Sequence, residues 1–537
     1  MSAPPDLIVV GGGSAGMALA TRVAQAGKRV TLIEAGKGHR DLRTIVPALM
    51  SNIVHKPDFD WMYKAEPDPS VGGRPDVWPA GKRLGGGSSI NGMMFIRGHP
   101  WDYDHWAKVG ATGWDYASVL PYFRRLEDNE RGADDWRGQG GPVAVSEVRS
   151  RYDVTDHWIE AVQQAGYPRS PDLNGKQAEG VDHIQLSQRG GLRSSTAAAY
   201  LKDKPETLDI QLQTQVMGIE VRDGRATGVR IRRDGEVTTL SARDGVVVSA
   251  GALNTPRLLM LSGIGPAQHL GEHGIEVVAD LPGVGANLQE HPGLHLVNTV
   301  DAHTLNDASR GLAGAKSLLS FLLGRKGALT TGIGHAQAFV KSRENLPAPN
   351  LQLAFSAFAF DVTPDGNLAL AKESSVSTFV AVMRPGSRGR ITLRGTDSAA
   401  APLIEHQLLG DEDDARQLVE GLRIARRIMA QPALSGQLTG EVRPGADATS
   451  DEALMGYVRA ATIPMYHPVG TAKMGAADDP QAVVDPSCKV RGIEGLWVAD
   501  ASIMPTIPQG NTNATAIMIG ERASDLVLQG LREQVVA

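Results

Sequence analysis

The sequence has a single cysteine, Cys488, among its 537 residues. One thiol forms no internal disulfide and supplies no cysteine ligand set for zinc or an iron–sulfur cluster, so disulfide-rich folds are excluded. A long apolar run is also missing, because the richest stretch, residues 351–360, is short and interrupted by Gln and Ser. A membrane-spanning helix needs about 20 apolar residues. No membrane-spanning helix is therefore predicted, but the sequence leaves open whether the protein associates with a membrane surface.

The chain also lacks a strong excess of positive or of negative charge. The chain has 54 Lys and Arg residues against 60 Asp and Glu residues, mixed along its length, for a formal net charge of −6. Nucleic-acid-binding proteins carry a basic face, so this class is disfavoured. The N-terminal residues MSAPPDLIVVGGG lack the basic segment and apolar stretch of a secretory signal. We expect a globular, cytoplasmic protein, whose oligomeric state the sequence leaves open.

What the chain has in excess is glycine. It has 62 glycines in 537 residues, well above the usual share of about 7 per cent. They gather beside apolar runs at residues 11–16, 81–92, 251–265, 283–285 and 470–475. Such clusters mark points where the backbone turns with positive φ or approaches another group closely. These clusters are therefore the first candidates for binding loops.

The first cluster is a GxGxxG pattern over residues 11–16. It stands between a predicted strand at 7–10 and a predicted helix at 14–26, and a second strand is predicted at 29–33, which completes a βαβ unit. In such a unit the glycines permit a tight turn and a close approach to a pyrophosphate, which faces the positive end of the helix dipole. The pattern predicts a dinucleotide site.

Glu34 ends the second predicted strand. A carboxylate at this place accepts hydrogen bonds from the hydroxyls of a ribose. Because Glu34 is followed by Ala35 and Gly36 and the unit lies at the start of a long chain, FAD is favoured over NAD.

Two further regions have a readable pattern. Between residues 200 and 250 short β-rich runs alternate with polar turns, which predicts the strands of an antiparallel meander. Residues 411–429 predict an amphipathic helix, because their apolar side chains are spaced by four, three and four at Leu418, Leu422, Ala425 and Met429.

The chain has two long glycine-rich motifs, GKRLGGGSSINGMMF at residues 81–95 and GALNTPRLLMLSGIG at residues 251–265. They resemble the signatures of the glucose-methanol-choline (GMC) oxidoreductases, a family of FAD enzymes that act on alcohols. The segments YHPVGTAKMG and WVADASIMPTIPQGNTNATAIMIGERA near the C-terminus resemble the family's catalytic segment and closing flavin loop, so the resemblance covers nearly the whole chain. The branch it resembles is that of the choline dehydrogenases.

This resemblance and the sequence pattern together predict an α/β fold of mixed character. We expect a Rossmann-like FAD-binding domain and a discontinuous substrate domain built on an antiparallel sheet flanked by helices. The expected FAD-binding segments are 1–155, 201–296 and 465–537, and the expected substrate segments are 156–200 and 297–464.

The glycine loops also make chemical sense as parts of an FAD site. Gly85 to Gly87, followed by Ser88 and Ser89, form a loop whose amides and hydroxyls suit phosphates and the flavin edge. In the second motif Asn254 and Thr255 are expected to cap a helix that has Pro256 in its first turn. The FAD contacts that pattern and resemblance imply are Gly11, Gly13, Ser14, Ala15, Gly16, Glu34, Ala35, Arg83, Gly86, Gly87, Ser88, Asn91, Gly92, Met93, Val216, Ala250, Gly251, Asp500, Ala501, Asn511, Thr512 and Asn513.

One departure from the family concerns the attachment of FAD. Some members bind it covalently through a histidine in the first motif, and here that position is Ile90. The resemblance therefore implies non-covalent FAD.

The resemblance implies a catalytic pair, His467 and Asn511. Oxidation of an alcohol passes a hydride to flavin N5 while the O–H proton leaves to a positioned base, and histidine suits this role. Asn511 takes no proton but is expected to orient the substrate oxygen by a hydrogen bond; many members have a second histidine there. A helix predicted at 512–529 begins beside the flavin, where its N-terminal dipole stabilises negative charge.

The substrate is predicted to be uncharged. Gly293 follows the Glu-His-Pro run, and no carboxylate stands where a quaternary ammonium needs one, whereas Phe339, Phe355 and Tyr466 suggest an apolar pocket. We expect small primary alcohols with an aryl, furan or alkyl group, and oxygen, a quinone or a dye as electron acceptor.

Three other interpretations are a metal site, a different reaction and a flavoprotein without enzymatic activity. The HxxEH pattern at 269–273 matches an inverted zinc-protease motif, but a glycine inside it and another directly after it favour a solvated helix end, so no metal site is predicted. A lyase of the hydroxynitrile-lyase type, in which flavin is structural, and a non-enzymatic flavoprotein remain alternatives on the same fold.

Overall fold

The computed structural model describes residues 4–362 and 368–536. Its helices, in chain order, are α1 (Ser14–Gln25), α2 (Leu42–Ile45), α3 (Pro100–Lys108), α4 (Tyr116–Leu126), α5 (Asp153–Gln164), α6 (Thr196–Tyr200), α7 (Thr255–Leu261), α8 (Ala267–Glu272), α9 (Leu305–Ala308), α10 (Gly311–Gly324), α11 (Glu412–Met429), α12 (Pro432–Ser435), α13 (Asp451–Ala461) and α14 (Asn513–Val536). Short 3-10 turns include Pro47–Asn52, Gly86–Ser89 and Ala328–Thr330.

The strands alternate with these helices. In chain order they are β1 (Leu7–Val10), β2 (Val30–Ile33), β3 (Tyr63–Lys64), β4 (Val77–Trp78), β5 (Glu127–Asn129), β6 (Val143–Glu147), β7 (Gly180–His183), β8 (Gln185–Leu186), β9 (Gln188–Arg189), β10 (Leu192–Arg193), β11 (Leu208–Gln211), β12 (Gln215–Arg222), β13 (Arg225–Arg233), β14 (Glu236–Ser241), β15 (Gly245–Val248), β16 (Ile264–Gly265), β17 (Ala279–Asp280), β18 (Pro292–Val300), β19 (Ala336–Val340), β20 (Leu351–Ser356), β21 (Phe360–Val362), β22 (Leu368–Leu370), β23 (Ser375–Val382), β24 (Arg390–Thr392), β25 (Leu403–Glu405), β26 (Leu438–Arg443), β27 (Ile463–Pro464) and β28 (Leu496–Val498).

A five-stranded parallel sheet forms the centre of the first half of the fold. Its order is β11-β2-β1-β15-β28, and each neighbouring pair runs parallel. Helices α1 and α14 pack against each other beside it. The predicted βαβ unit is confirmed as β1, α1 and β2. Burial on both faces explains the continuous apolar runs of the interior strands β1 and β15.

The prediction for residues 200–250 was partly wrong. Strands β12, β13 and β14 do form an antiparallel meander, but β11 and β15 join the parallel sheet. The sequence GVVV of β15 is buried at every position, as expected for an interior parallel strand. The meander strand β14 is exposed at most positions instead.

A second, antiparallel sheet has the order β26-β18-β23-β20-β19-β7, with β27 paired to β18. Helices α5 and α11 cover one of its faces. The helix predicted at 411–429 is confirmed as α11, and Asp411 caps it by accepting a hydrogen bond of 2.9 Å from the amide of Asp413. Residues alternate between the faces of a strand. On β20, Leu351, Leu353 and Phe355 therefore join the core beneath the helices, and Ala354 faces the other way.

Segments of the two sheets are interleaved along the chain. Strand β7 of the antiparallel sheet lies between β2 and β11 of the parallel sheet, and strands β18 to β27 lie between β15 and β28. On this basis we propose the interleaved division into FAD-binding and substrate segments given above. Among the helices of the described residues, none has the length and apolar character needed to cross a membrane.

Candidate active site

A cavity of about 1210 Å³ runs between the two sheets. At one end its wall is made by the carboxyl ends of β1, β2 and β15, and at the other by the open face of the antiparallel sheet. Ligands of parallel α/β sheets bind at the carboxyl ends of the strands. The cavity is large enough for a dinucleotide together with a small substrate.

Glycines at the first end bring backbone segments into direct contact. Gly11 has φ +101°, and a Cβ there would lie 2.4 Å from the carbonyl oxygen of Ser249. A Cβ on Gly86, whose φ is +53°, would lie 2.7 Å from the Cα of Gly13. The glycine motifs therefore meet other segments backbone to backbone, and a larger residue at either place would push these segments apart and distort the wall of the cavity.

Gly16 has a different part in this turn. A Cβ on it would lie 2.0 Å from the carbonyl oxygen of Gly11, so its role is to let α1 pack against the turn. It does not line the cavity.

Glu34 lies buried at the end of β2 and lines the cavity. Its carboxylate accepts the amide N–H groups of Gly12 at 3.0 Å and Gly36 at 2.7 Å. Burial raises the pKa of Glu34, and these two amides oppose that shift. The carboxylate thus holds the turn and keeps lone pairs free for a ribose.

Asp500 joins the second glycine motif to the C-terminal segment. Its carboxylate accepts hydrogen bonds from the amide of Gly251 at 2.8 Å and from the hydroxyl of Thr255 at 2.6 Å. The expected side-chain cap of α7 is wrong, because the side chain of Asn254 makes no capping bond and accepts one of 2.6 Å from the hydroxyl of Tyr63.

Two long helices begin at the same end of the cavity. The hydroxyl of Ser14, the first residue of α1, donates a hydrogen bond of 2.6 Å to the side chain of Asn513, the first residue of α14. Both helix N-termini therefore direct their positive dipole ends to the cavity, where they would stabilise phosphate or an anionic flavin ring.

Hydrogen bonds within the loop of the first family motif, residues 81–95, hold its serine side chains. The hydroxyls of Ser88 and Ser89 are not free, contrary to the sequence-based expectation, because they donate to the carbonyls of Gly85 and Leu84 at 2.6 and 2.8 Å. Ser88 is therefore outside the cavity lining. Ile90 lines the cavity and has no atom that could bond covalently to a flavin.

Two buried arginines support this loop. Arg193 donates to the carbonyl and the side-chain oxygen of Asn91 at 2.7 and 2.8 Å, and burial lowers its pKa to about 9. Arg83 stacks on Phe59 at 4.5 Å and lies 3.6 Å from Asp41. Arg83 is not part of the cavity lining. The structure therefore shows Arg83 in contact with Phe59 and not at the cavity, where the sequence analysis expected it to contact FAD.

His467 and Asn511 lie together in the cavity wall. The amide nitrogen of Asn511 is 3.2 Å from Nε2 of His467, although the two residues are 44 apart in the chain. The oxygen of the Asn511 side chain has no partner among the described residues. An amide N–H that donates to Nε2 requires this nitrogen to be unprotonated. Nε2 therefore has the lone pair that a proton acceptor needs.

A second histidine, which the sequence analysis did not single out, fixes the other side of the ring. Nδ1 of His291 lies 3.1 Å from Nδ1 of His467, so one of these nitrogens carries the proton that the other accepts. With Nε2 of His467 unprotonated, Nδ1 of His467 is the donor. Burial lowers the pKa of His467 to about 3, although part of its ring faces the cavity, and lowers the pKa of His291 well below its ordinary value. Both rings are neutral.

Glu290 holds the loop that carries His467. Its carboxyl group accepts hydrogen bonds from the amide of His467 at 2.8 and 2.7 Å and from the amide of His291 at 2.9 Å. Burial raises the pKa of Glu290 to about 8. The residue before His467, Tyr466, has φ +64°, and the Glu290 contacts stabilise this left-handed turn.

The predicted aromatic pocket is only partly correct in its residues. Tyr466 lines the cavity and is 42 per cent exposed. Phe355 is on the helix-covered face of β20, where it stacks on Trp158 at 5.0 Å. Phe339 is fully buried in a separate cluster with Ile96. Neither phenylalanine lines the cavity, and the phenylalanine rings that do are Phe358, Phe360 and Phe379.

Polar groups on the open face of the antiparallel sheet complete this end of the cavity. Nδ1 of His295 lies 2.7 Å from the hydroxyl of Ser377. Arg443, at the end of β26, donates to the carbonyl of Phe360 at 2.7 Å. Burial, and secondarily the charge of Arg443, lowers the pKa of His295 to about 4. No local sequence pattern indicates this group, since its members come from three strands.

The structure brings most of the predicted site residues to one cavity. Those that line it are Gly11, Gly13, Ser14, Ala15, Glu34, Ala35, Gly86, Gly87, Asn91, Gly92, Met93, Val216, Ala250, Gly251, Tyr466, His467, Asp500, Ala501, Asn511, Thr512 and Asn513.

A glycine-rich dinucleotide cradle and a half-buried histidine open to the same cavity, an arrangement that fits a FAD-dependent oxidoreductase acting on CH–OH donors. Comparison with known proteins agrees with this class. Sequence models of the GMC oxidoreductase match residues 5–293 with its N-terminal part and residues 385–520 with its C-terminal part. The chain belongs to the GMC oxidoreductase family.

Three similar proteins illustrate the relationship. An oxygen-dependent choline dehydrogenase of Brucella ovis is 40 per cent identical over 526 residues, which are 97 per cent of this chain and 95 per cent of the relative. The crystal structure of pyridoxine 4-oxidase from Mesorbium loti has a TM-score of 0.87 at 27 per cent identity, covering 97 per cent of this chain and 98 per cent of that one. A fungal aryl-alcohol oxidase has a TM-score of 0.84 at 26 per cent identity, covering 98 and 99 per cent.

Proposed function

We propose that the protein oxidises an uncharged primary alcohol with an aryl, furan or alkyl group to the aldehyde, with His467 as base and Asn511 as the residue that orients the substrate oxygen. The observation that carries the proposal is the neutral His467 ring, which offers Nε2 beside Asn511 in the wall of the cofactor cavity.

Each residue of the site has its own role in the proposed oxidation. Bound FAD supplies the acceptor for the hydride that leaves the alcohol carbon. Nε2 of His467 takes the O–H proton, so that the C–O bond becomes the carbonyl of the aldehyde. With substrate bound, the amide N–H of Asn511 would donate to the substrate oxygen instead of to Nε2 of His467, which frees the Nε2 lone pair and holds the C–H bond in position for hydride loss. Nδ1 of His291 accepts from Nδ1 of His467 and thereby keeps the base in the required tautomer.

The charges of the lining argue for an uncharged substrate. Glu34 and Asp500 are the only carboxylates among the residues lining the cavity within the described part of the chain, and both hold backbone amides at the nucleotide end. Arg443 places a positive charge at the other end. A quaternary ammonium there would meet a like charge without a counter-ion.

The names of similar proteins support an alcohol substrate and oxygen as an acceptor, but they differ on the charge of the alcohol. The names of the similar proteins include a choline dehydrogenase that is oxygen-dependent and an aryl-alcohol oxidase. We infer oxygen or another acceptor, such as a quinone or dye, for the electrons of this enzyme, and we place its substrate nearer to the aryl alcohol.

We expect kcat/KM for benzyl alcohol to exceed that for choline by at least about tenfold, because of the charge of Arg443. Steady-state rates with benzyl alcohol, furfuryl alcohol, hexanol and choline test this. Arg443→Gln is expected to reduce the ratio of kcat/KM for benzyl alcohol to kcat/KM for choline. Lys56→Gln removes a charge from the exposed rim of the cavity and is expected to leave this ratio unchanged. Faster turnover of choline than of benzyl alcohol would contradict the assignment.

Anaerobic mixing of the holoenzyme with the same alcohols distinguishes oxidation from the lyase alternative. Loss of the oxidised flavin absorbance supports the proposed reaction. A persistent flavin band together with cleavage of a cyanohydrin would establish the lyase instead, and a persistent band without cleavage would indicate a flavoprotein without this chemistry.

The pH dependence gives a further prediction. The neutral form of His467 is the base, and burial lowers its pKa to about 3. The neutral form therefore persists at every pH above about 3 and is lost only as the pH falls through that value. We expect kcat/KM to show no histidine limb between pH 5 and 7.5, in contrast to an ordinary histidine, whose pKa is about 6.5. A tenfold loss per pH unit below 6 would contradict this.

A further inference from the structure

Helix α10 presents an unusual apolar surface. Five leucines of this 14-residue helix are strongly exposed, and Phe321 is its only buried residue. Their exposed fractions are 90 per cent for Leu312, 50 for Leu318, 55 for Leu319, 65 for Leu322 and 80 for Leu323. At 100° per residue they cover an arc of about 140° that does not include Phe321. Contiguous apolar patches of this kind mark interaction sites.

The charges around the leucines have one sign. Arg310, Lys316, Arg325 and Lys326 flank or interrupt the helix, and residues 308–343 include no Asp or Glu. Within the part of the chain that the structure describes, none of these four residues makes an ion pair with a carboxylate; Arg310 donates to the carbonyl of Lys372, and Arg325 packs over Phe321 at 5.0 Å. The cations are thus available to an anionic surface.

The helix lies beside the mouth of the active-site cavity. It is followed by the 3-10 turn Ala328–Thr330, which packs against the 3-10 turn Pro47–Asn52. The last three residues of that second turn line the cavity, and so does Ile333, which is 43 per cent exposed. A surface that covers α10 therefore lies close to the exposed part of the cavity wall.

We propose that α10 docks the enzyme on an anionic lipid surface, with its leucines in the headgroup and acyl boundary and its basic residues at the phosphates. Amphipathic helices with leucine on one face and Lys or Arg beside it bind membranes in this way. A second copy of the chain fits less well, because a two-fold contact through α10 would bring the same four cations together from both subunits. The docked helix places the cavity mouth where alcohols that partition into the membrane are concentrated.

Sedimentation of the holoenzyme with vesicles tests the proposal independently of turnover. We expect the fraction bound to an equimolar phosphatidylcholine and phosphatidylglycerol mixture to exceed that bound to phosphatidylcholine alone by at least about tenfold, and to fall with added salt. The combined substitutions Leu319→Glu and Leu323→Glu should abolish binding and leave oxidation of a water-soluble alcohol with a dye unchanged, because both side chains point to solvent.

Val237→Glu is the matched control, since Val237 is 50 per cent exposed on the meander strand β14, and it should bind as the wild type does. Absence of binding to the anionic vesicles would overturn the proposal. So would a dimer, seen by light scattering, that the two leucine substitutions convert to monomer, since α10 would then be a contact between subunits. Failure of alcohol oxidation with vesicle binding retained would count against the proposed function alone.

Discussion

His467→Ala is expected to lower kcat for alcohol oxidation by about 100- to 10,000-fold, the range typical for loss of a positioned general base. The ring is the proton acceptor that lies beside Asn511, and the neighbouring His291 is too deep to replace it, being fully buried. The backbone amide of residue 467 would still donate to Glu290. The loop and the flavin content should therefore be preserved. Stopped-flow reduction of the flavin by benzyl alcohol measures the effect directly.

Two controls make this result specific. His273→Ala removes a histidine from the end of α8, outside the cavity lining, and should leave the rate of flavin reduction unchanged. Added imidazole should restore part of the rate of His467→Ala, because the vacated space adjoins the open cavity. Flavin reduction by His467→Ala at the wild-type rate would show that another group takes the proton.

The sequence predicted well those features that depend on neighbouring residues. The turn between β1 and α1 follows from the spacing of its glycines, and α11 follows from apolar side chains at helical intervals. These patterns are local, and each determines one element. The meeting of His467 with Asn511, 3.2 Å apart, followed instead from the resemblance to a family, because no rule of spacing connects residues so far apart in the chain.

Features that depend on the register of distant strands were missed. His295, Ser377 and Arg443 form one polar group because β18 pairs with both β23 and β26. His291 reaches His467 for a similar reason, as β27 pairs with the beginning of β18. Nothing in any one of these segments indicates the others.

The aromatic pocket shows a related difficulty. Alternation along residues 351–356 separates two faces, but only the position of α11 decides which face is the core. Phe355 belongs to the covered face. The alternating pattern of the sequence alone therefore could not show whether Phe355 faces the core or the cavity.

Gly11→Ala is expected to abolish FAD binding in the purified protein and to destabilise the fold by about 2 to 6 kcal/mol, the combined range for a strained backbone and an overpacked contact. Its Cβ would lie 2.4 Å from the carbonyl oxygen of Ser249, at a φ of +101°, and so would separate β1 from β15 where the cradle forms. Flavin content from the visible spectrum and thermal unfolding measure the two effects.

Two other glycines separate backbone strain from occupation of the cradle. Gly27 has φ +89°, and a Cβ there would meet nothing within 4 Å, so Gly27→Ala should lower stability by about 1 to 3 kcal/mol and keep its flavin. Gly251 has φ +83° and equally free space, but it lines the cavity. Gly251→Ala should match Gly27→Ala in stability of the apoprotein and yet bind FAD more weakly, because its Cβ enters space that the cofactor needs. Equal flavin affinity in these two variants would show that the cofactor does not approach the backbone at Gly251.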